Sequence, residues 1–196
     1  MRSPLTSFDL RNNTMKLKLN NVRLSFPELF EASQVNGQGD FKFRASFLLP
    51  PDHPGNKAIE QAIKKVATDK WGAKAETILS QIRGNPMRFN YRSGDEKGDY
   101  EGYAGNMVIS ASNKARPLVI DRDLSPLTAQ DGRPYSGCYV NATITIFAYE
   151  NNGKGISASL GGVQFFKDGD AFSGGGVATP DDFDNISEGA DAGELI

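Results

Sequence analysis

Basic and aromatic side chains that alternate along predicted strands are the residues of this sequence best suited to binding chemistry. A surface for single-stranded nucleic acid needs cations for the phosphates and ring faces on which bases stack. Lys42 and Arg44 share the polar face of one predicted strand, and Arg88 and Arg92 share a face of the stretch MRFNYR. The sequence predicts ten contacts of this kind: Lys42, Arg44, Arg88, Tyr91, Arg92, Lys114, Arg116, Tyr139, Phe147 and Tyr149.

The stretch CYVNATITIFAY, residues 138–149, is the most informative of these. Every second residue of it is small or apolar, which predicts a strand with one core face. The opposite face carries Tyr139, Phe147 and Tyr149 beside Asn and Thr side chains. Three aromatic rings on a polar face are costly to leave in water, and stacked bases would cover them.

Each candidate also has a purely structural interpretation. Core packing would account for Tyr91, and cover by a helical segment would account for the rings of residues 138–149. A solvated turn would account for Lys114 and Arg116, and Tyr100 and Tyr103 either stack bases or anchor their own loop.

The sequence offers little for catalysis. The one histidine, His53, lies in the loop-like PPDHPGN, and the one cysteine, Cys138, falls on the predicted core face, so neither builds a nucleophile pair. CxxC, HExxH and phosphate-loop motifs are absent from the sequence. Four acids in RSGDEKGDYEGY could hold Mg²⁺ for a nuclease, but a polar loop is the favoured interpretation: Asp95, Glu96, Asp99 and Glu101. We therefore predict no enzyme activity, no cofactor and no metal.

The elements that must position these residues are mostly strands. Alternation predicts strands over 16–26, with a bulge at Asn20-Asn21, and over 40–50 after an Asn-Gly turn. Apolar spacing of three and four predicts helices within 55–84, and strands return from Met87 to Phe166. Because most connections are too short for crossovers, the strands are predicted to be mainly antiparallel. The fold class is mainly β with a helical insert, an OB-fold-like Greek-key barrel, with a β-sandwich as the alternative.

Charge is divided unevenly along the chain. All 22 Lys and Arg and 18 of the 24 acids precede residue 171, so the body is +4 and the last 26 residues are −6. Terminal blocks of one sign are often disordered interaction tails. The predicted organisation is a flexible leader over 1–15, a domain over 16–170 with its helical insert at 55–84, and a Gly-rich linker with a disordered acidic tail over 171–196. Met15 is an alternative start.

The cysteine count and the absence of targeting signals indicate the cellular compartment. A single cysteine rules out an internal disulfide framework and fits a reducing compartment. The sequence has neither an 18-residue apolar run nor a signal peptide, which predicts no membrane association.

The C-terminal half resembles a bacteriophage protein family. The segments Gly137–Val140, Gly155–Gln164 and Lys167–Asp170 are similar to a G-C-Y/W-V strand, a GI-S-L-x-x-VQ strand and a K/R-D-G-D/E ending, and NVRLSFPELFEA is similar to the family's opening strand. The family is that of phage replicative single-stranded DNA-binding proteins with an OB-fold and an acidic C-terminal tail. The resemblance implies sequence-independent DNA binding and protection in replication and recombination, in the host cytoplasm.

The resemblance also implies a role for the tail, which would compete with DNA for a basic groove and recruit replication proteins. The predicted tail contacts are Asp181, Asp182, Phe183, Asp184, Glu188, Asp191, Glu194 and Ile196. Many such tails end in an aromatic residue, whereas this chain ends in Leu195-Ile196 and its tail aromatic is internal. Weak duplex binding, single-strand annealing, a solubility tail and a β-rich virion module remain open alternatives.

Overall fold

A closed barrel of five strands forms the centre of the molecule, in a computed structural model that describes residues 7–172. The strands and helices of this part are β1 (Ser7–Asp9), β2 (Thr14–Val35), β3 (Gln38–Leu49), α1 (Pro54–Trp71), α2 (Ala75–Ile82), β4 (Tyr91–Ser93), β5 (Met107–Asn113), β6 (Leu118–Ile120), β7 (Tyr139–Glu150) and β8 (Lys154–Lys167). The predicted tail contacts, Asp181 to Ile196, lie outside the described residues.

Pairing of the strands identifies the barrel. β2 lies between β3 and β7, β3 pairs with β5, and β7 pairs with β8, all antiparallel. The barrel closes where β5 meets β8 in parallel, at Ser112 and Ser159. This closed five-stranded order is the Greek-key arrangement of an OB-fold. The predicted fold class is confirmed for the described residues, and the β-sandwich alternative is wrong.

Alternation in β7 builds the core side of the barrel. Val140, Ile144 and Ile146 are completely buried, as the sequence pattern predicted. Cys138 is also fully buried, and burial raises the pKa of its thiol to about 11. The thiol is therefore protonated at neutral pH and acts as a small apolar side chain.

The helical insert lies between β3 and β4, where α1 packs against β2 and β7. Its apolar spacing places Ile59 and Ile63 fully inside the core. His53 caps α1, because its Nδ1 accepts the Gly55 N–H at 2.9 Å while its Nε2–H donates to the Asn20 carbonyl at 2.8 Å. The one histidine is thus a structural link between the helix and β2.

Four register shifts interrupt the pairing of β2, one with β7 and three with β3. The first falls between Leu19 and Val22, at the predicted position. The second follows Ser25 and shifts the pairing with β3 before Glu28. Beyond it, β2 and β3 continue as a hairpin arm that turns at Asn36 and Gly37, both with positive φ.

Residues ahead of the predicted domain boundary also take part in the sheet. Ser7–Asp9 pairs with Thr14–Lys16, and the Lys65 Nζ of α1 lies 4.3 Å from the centre of the Phe8 ring. The predicted leader over 1–15 thus includes an ordered hairpin from residue 7 onward. None of the described helices combines the length and the apolar character needed to cross a membrane.

Candidate nucleic-acid interface

A groove of about 970 Å³ lies over the outer face of β3 and β5. The side chains on the floor of the groove are short, because outward positions of β3 and β5 carry serines. Ser46 and Ser110 pair across the strands with their Oγ atoms 2.9 Å apart, and Ser112 and Ser157 extend the floor toward β8. Small polar side chains leave space for a polymer to cross the strands, which is the face that OB-folds use for oligonucleotides.

Two arginines point their charge into this groove. Arg44 donates from Nη1 to the Ser33 carbonyl at 2.7 Å and to the Glu28 carboxylate at 3.2 Å. Arg92 forms an ion pair with Glu96, and the two arginine side chains are 23% and 21% exposed. Partly exposed ion pairs contribute little to stability, so a phosphate can replace either carboxylate at small free-energy cost. Both guanidinium groups therefore bring partly exposed positive charge to the groove lining.

Three aromatic rings meet at the end of the groove where β3 and β5 pair Leu48 with Val108. The Phe26 ring centre lies 5.1 Å from that of Tyr100 and 6.3 Å from that of Tyr103, all edge to face. Tyr103 is buried, and its hydroxyl donates to the Ser25 hydroxyl at 3.3 Å. Phe26 and Tyr100 are 53% and 45% exposed, so the cluster offers ring surface to the groove.

The segment before β4 forms one rim of the groove, and further predicted DNA contacts lie beside it. Met87 lines the groove, and its carbonyl accepts a hydrogen bond from the Tyr149 hydroxyl at 3.3 Å. Arg88 donates to the carbonyl of Asn152 in the β7–β8 turn. Phe147 lies opposite Ser157, which is a groove residue. Arg88, Phe147 and Tyr149 therefore adjoin the groove through their neighbours.

Three predicted cations lie outside the groove lining. Lys42 is opposite Ser33 on the hairpin arm. Lys114 forms an ion pair with Asp40 at 2.8 Å, and this hydrogen bond holds the pKa of the Asp40 carboxyl below its usual value. Arg116 donates to the Phe30 carbonyl at 3.2 Å. These contacts place all three at the arm, and their role in DNA binding stays a prediction.

The structure corrects the prediction for Tyr91. Its side chain is 4% exposed and its hydroxyl donates to the Asn56 Oδ1 at 2.9 Å, so the ring has no face for a base. Burial raises the pKa of Tyr91 to about 12. The core-packing alternative accounts for it.

Tyr139 is remote from the groove lining as well. Lys167 Nζ lies 4.6 Å from its ring centre, and the Arg23 guanidinium lies 5.7 Å away on the neighbouring strand. Within the described residues, its ring thus belongs to a separate basic cluster at the start of β7.

Sequence reasoning missed Phe26 as a site residue. Alternation assigned it to the same face as the core residues Val22 and Leu24. The bulge after Ser25 rotates it outward, and its φ of 46° marks the departure from regular strand geometry. The Phe26-Pro27 step inside β2 was the signal available in the sequence, because proline within a strand is found at edges and bulges.

The acidic loop forms local contacts rather than a metal centre. Asp95 accepts the Gly105 N–H at 2.7 Å, and Glu96 pairs with Arg92. Across residues 7–172, His, Cys, Asp and Glu form no group of three that could hold a metal ion. These contacts favour the polar-loop interpretation over the nuclease one.

Comparison with known proteins agrees with this geometry. A family model described as the single-stranded DNA-binding protein of Enterobacter phage Enc34 matches residues 15–195. Putative protein p50 of Acyrthosiphon pisum secondary endosymbiont phage 1 is 63% identical over 175 residues, which are 88% of this chain and 95% of that protein.

Solved structures are similar over most of the chain. The Enc34 single-stranded DNA-binding protein in complex with single-stranded DNA is 26% identical with a TM-score of 0.70, covering 88% of this chain and 99% of that one. The gp2.5 single-stranded DNA-binding protein of bacteriophage T7 is 12% identical with a TM-score of 0.52, covering 78% of this chain and 91% of that one, and shares the fold.

Proposed function

This chain belongs to the family of phage single-stranded DNA-binding proteins that the Enc34 protein represents, and on that premise we propose that it binds single-stranded DNA in the groove over β3 and β5. The observation that carries the proposal is the groove itself, which combines two guanidinium groups with exposed rings on the face that OB-folds use. The solved complex of a 26% identical relative with single-stranded DNA supports it.

Binding of this kind is independent of sequence. Arg44 and Arg92 reach phosphates, which every nucleotide carries, and a ring face stacks on any base. The role that follows is coating and protection of single strands during phage replication and recombination, in the cytoplasm of the host.

We further propose that the acidic tail competes with DNA for this groove. The last described residue, Phe172, packs against the buried cluster of Leu48, Tyr103 and Val108, and Tyr103 belongs to the aromatic end of the groove. Asp181, the first acid of the tail, follows nine residues later. Nine residues span at most about 30 Å when fully extended. The six carboxylates therefore begin within reach of the groove cations, and DNA would displace them by counterion release.

Recruitment of replication proteins is the second role proposed for the tail. A tail displaced from the groove presents its acids and its apolar end, Leu195 and Ile196, to other proteins. The same displacement would couple partner binding to the presence of DNA.

Fluorescence anisotropy with labelled oligo-dT at several salt concentrations tests both proposals. Three full-length proteins are compared: the native chain, a chain with its six tail acids changed to Asn or Gln, and a chain with Arg44→Gln and Arg92→Gln. Salt-sensitive binding that tightens when the tail is neutral supports groove binding and competition.

The outcomes separate the two proposals. Equal affinity of the native and neutral-tail chains would leave DNA binding in place and remove competition. Failure of every form to bind oligo-dT would contradict the function and favour the virion-module alternative. A duplex of the same length, measured in parallel, reports binding through phosphates alone.

A further inference from the structure

Phe26 combines an unfavourable backbone conformation with an exposed ring. Its φ is 46°, in the left-handed region that bulky side chains rarely adopt, and its side chain is 53% exposed. A residue that serves packing gains burial from its position, whereas this one exposes apolar surface and strains the backbone. Conformations of this kind persist only where surrounding contacts impose them, and they cluster at functional sites.

The surrounding contacts that impose this conformation are rigid. Leu24 is fully buried, and its N–H donates to the Cys138 carbonyl at 2.9 Å. Ser25 is 2% exposed and accepts the Tyr103 hydroxyl. The chain is therefore fixed immediately before Phe26, and the bulge that follows turns the ring out of the barrel.

Neighbouring rings hold the exposed one in a defined orientation. Tyr100 approaches Phe26 edge to face, with an interplanar angle of 71°, and the Lys97 Nζ lies 5.7 Å from the Tyr100 ring centre. Tyr103 is buried in a cluster with Leu48 and Val108. At 53% exposure, Phe26 keeps ring surface available for a planar ligand.

We propose that Phe26 and Tyr100 form a stacking site for one unpaired base at this end of the groove. The proposal rests on the function proposed above. It specifies where along the groove one base unstacks from its own strand and contacts the protein instead. Phosphates on either side of that base would reach the groove cations, of which Arg92 lies in β4 and Lys97 in the turn that follows it. A paired base has both faces covered by its neighbours, so the site selects single strands.

The expected effect follows from base stacking on aromatic residues. Removing one such contact weakens binding of an oligonucleotide by about 5- to 150-fold. Phe26→Leu retains a bulky apolar side chain at the same position but removes the ring face. Tyr100→Leu does the same for the second ring at a position whose φ is ordinary. Each is therefore expected to weaken oligo-dT binding within this range, while the melting temperature stays within a few degrees of the native value.

A tryptophan probe provides direct evidence of stacking. The native chain has one tryptophan, Trp71, which is buried in the helical insert. Phe26→Trp adds an indole at the proposed site, and its fluorescence should be quenched when oligo-dT is added to the full-length protein. Phe166→Trp is the matched control, because Phe166 is also an exposed aromatic residue, at 39%, but lies outside the groove lining.

The inference is supported if quenching occurs at position 26 and is absent at position 166, and if Phe26→Leu weakens binding while Phe26→Trp retains it. Native affinity of Phe26→Leu, or equal quenching of both probes, would overturn it even though the protein binds DNA. Absence of oligo-dT binding by the native chain would instead reject the function on which the stacking site depends.

Discussion

Removing the two groove arginines should change the salt dependence of DNA binding by a calculable amount. Each phosphate contact to a single strand contributes about 0.7 to the slope of log affinity against log salt. Arg44 and Arg92 each present one partly exposed guanidinium to the groove. Changing both to Gln should therefore lower the steepness by about 1.4. Over a fourfold rise in salt, from 50 to 200 mM, the native chain should lose about sevenfold more affinity than the double variant.

Anisotropy titrations of labelled oligo-dT at four or more salt concentrations measure this slope. Lys65→Gln is the matched control, because Lys65 also forms a carboxylate pair, with Asp69 at 2.8 Å, but lies on α1 outside the groove lining. Its slope should equal that of the native chain. An unchanged slope in the arginine double variant, or an equal change in Lys65→Gln, would refute the assignment of the groove as the phosphate-binding surface.

Three other perturbations have defined outcomes. Glu96→Gln releases Arg92 from its ion pair and should tighten oligo-dT binding by about 2- to 5-fold at low salt, with the gain fading at high salt in anisotropy titrations. Gly94→Ala places a Cβ against the Tyr103 carbonyl oxygen and should lower the free energy of unfolding, measured in urea, by about 1–3 kcal/mol or more. Gly84→Ala is the control, because a Cβ there meets no neighbouring atom, and its effect on the free energy of unfolding should be smaller. Burial raises the pKa of Cys138 to about 11, so the folded state favours the protonated thiol, and this contribution to stability should be complete below pH 9 and lost as pH rises toward 11. Urea unfolding should therefore show a difference in the free energy of unfolding between the native chain and Cys138→Ala that shrinks above pH 9. A difference that stays constant from pH 8 to 11 would contradict this.

Local pattern was sufficient for the elements of the core. Alternation in residues 138–149 predicted the buried side of β7, and the spacing of Ile59 and Ile63 predicted the buried side of α1. These predictions held because burial on one face imposes a period on the sequence, two for a strand and 3.6 for a helix. The doubled Asn at 20–21 likewise predicted the first bulge, since the apolar period slips there by one residue.

Local pattern was insufficient for the aromatic residues of the site. Tyr91 and Phe26 both lie on alternating strands, yet Tyr91 is 4% exposed and Phe26 is 53% exposed. α1 accounts for the first difference, because Asn56 near its start accepts the Tyr91 hydroxyl. The second bulge of β2 accounts for the other. A period of two carries no information on which element covers a face or on where a bulge turns a side chain outward.

The sequence by itself determined the uneven division of charge, the inward face of β7 and the position of the helical insert, because these depend on residue type and on spacing between near neighbours. Tertiary structure alone decided which outward face is the groove. That choice depends on barrel closure between β5 and β8, which brings Ser112 beside Ser159 across 47 residues, and on the approach of Phe26 and Tyr100 from distant parts of the chain. Contacts between residues so far apart are set by packing of the whole barrel, and no local spacing encodes them.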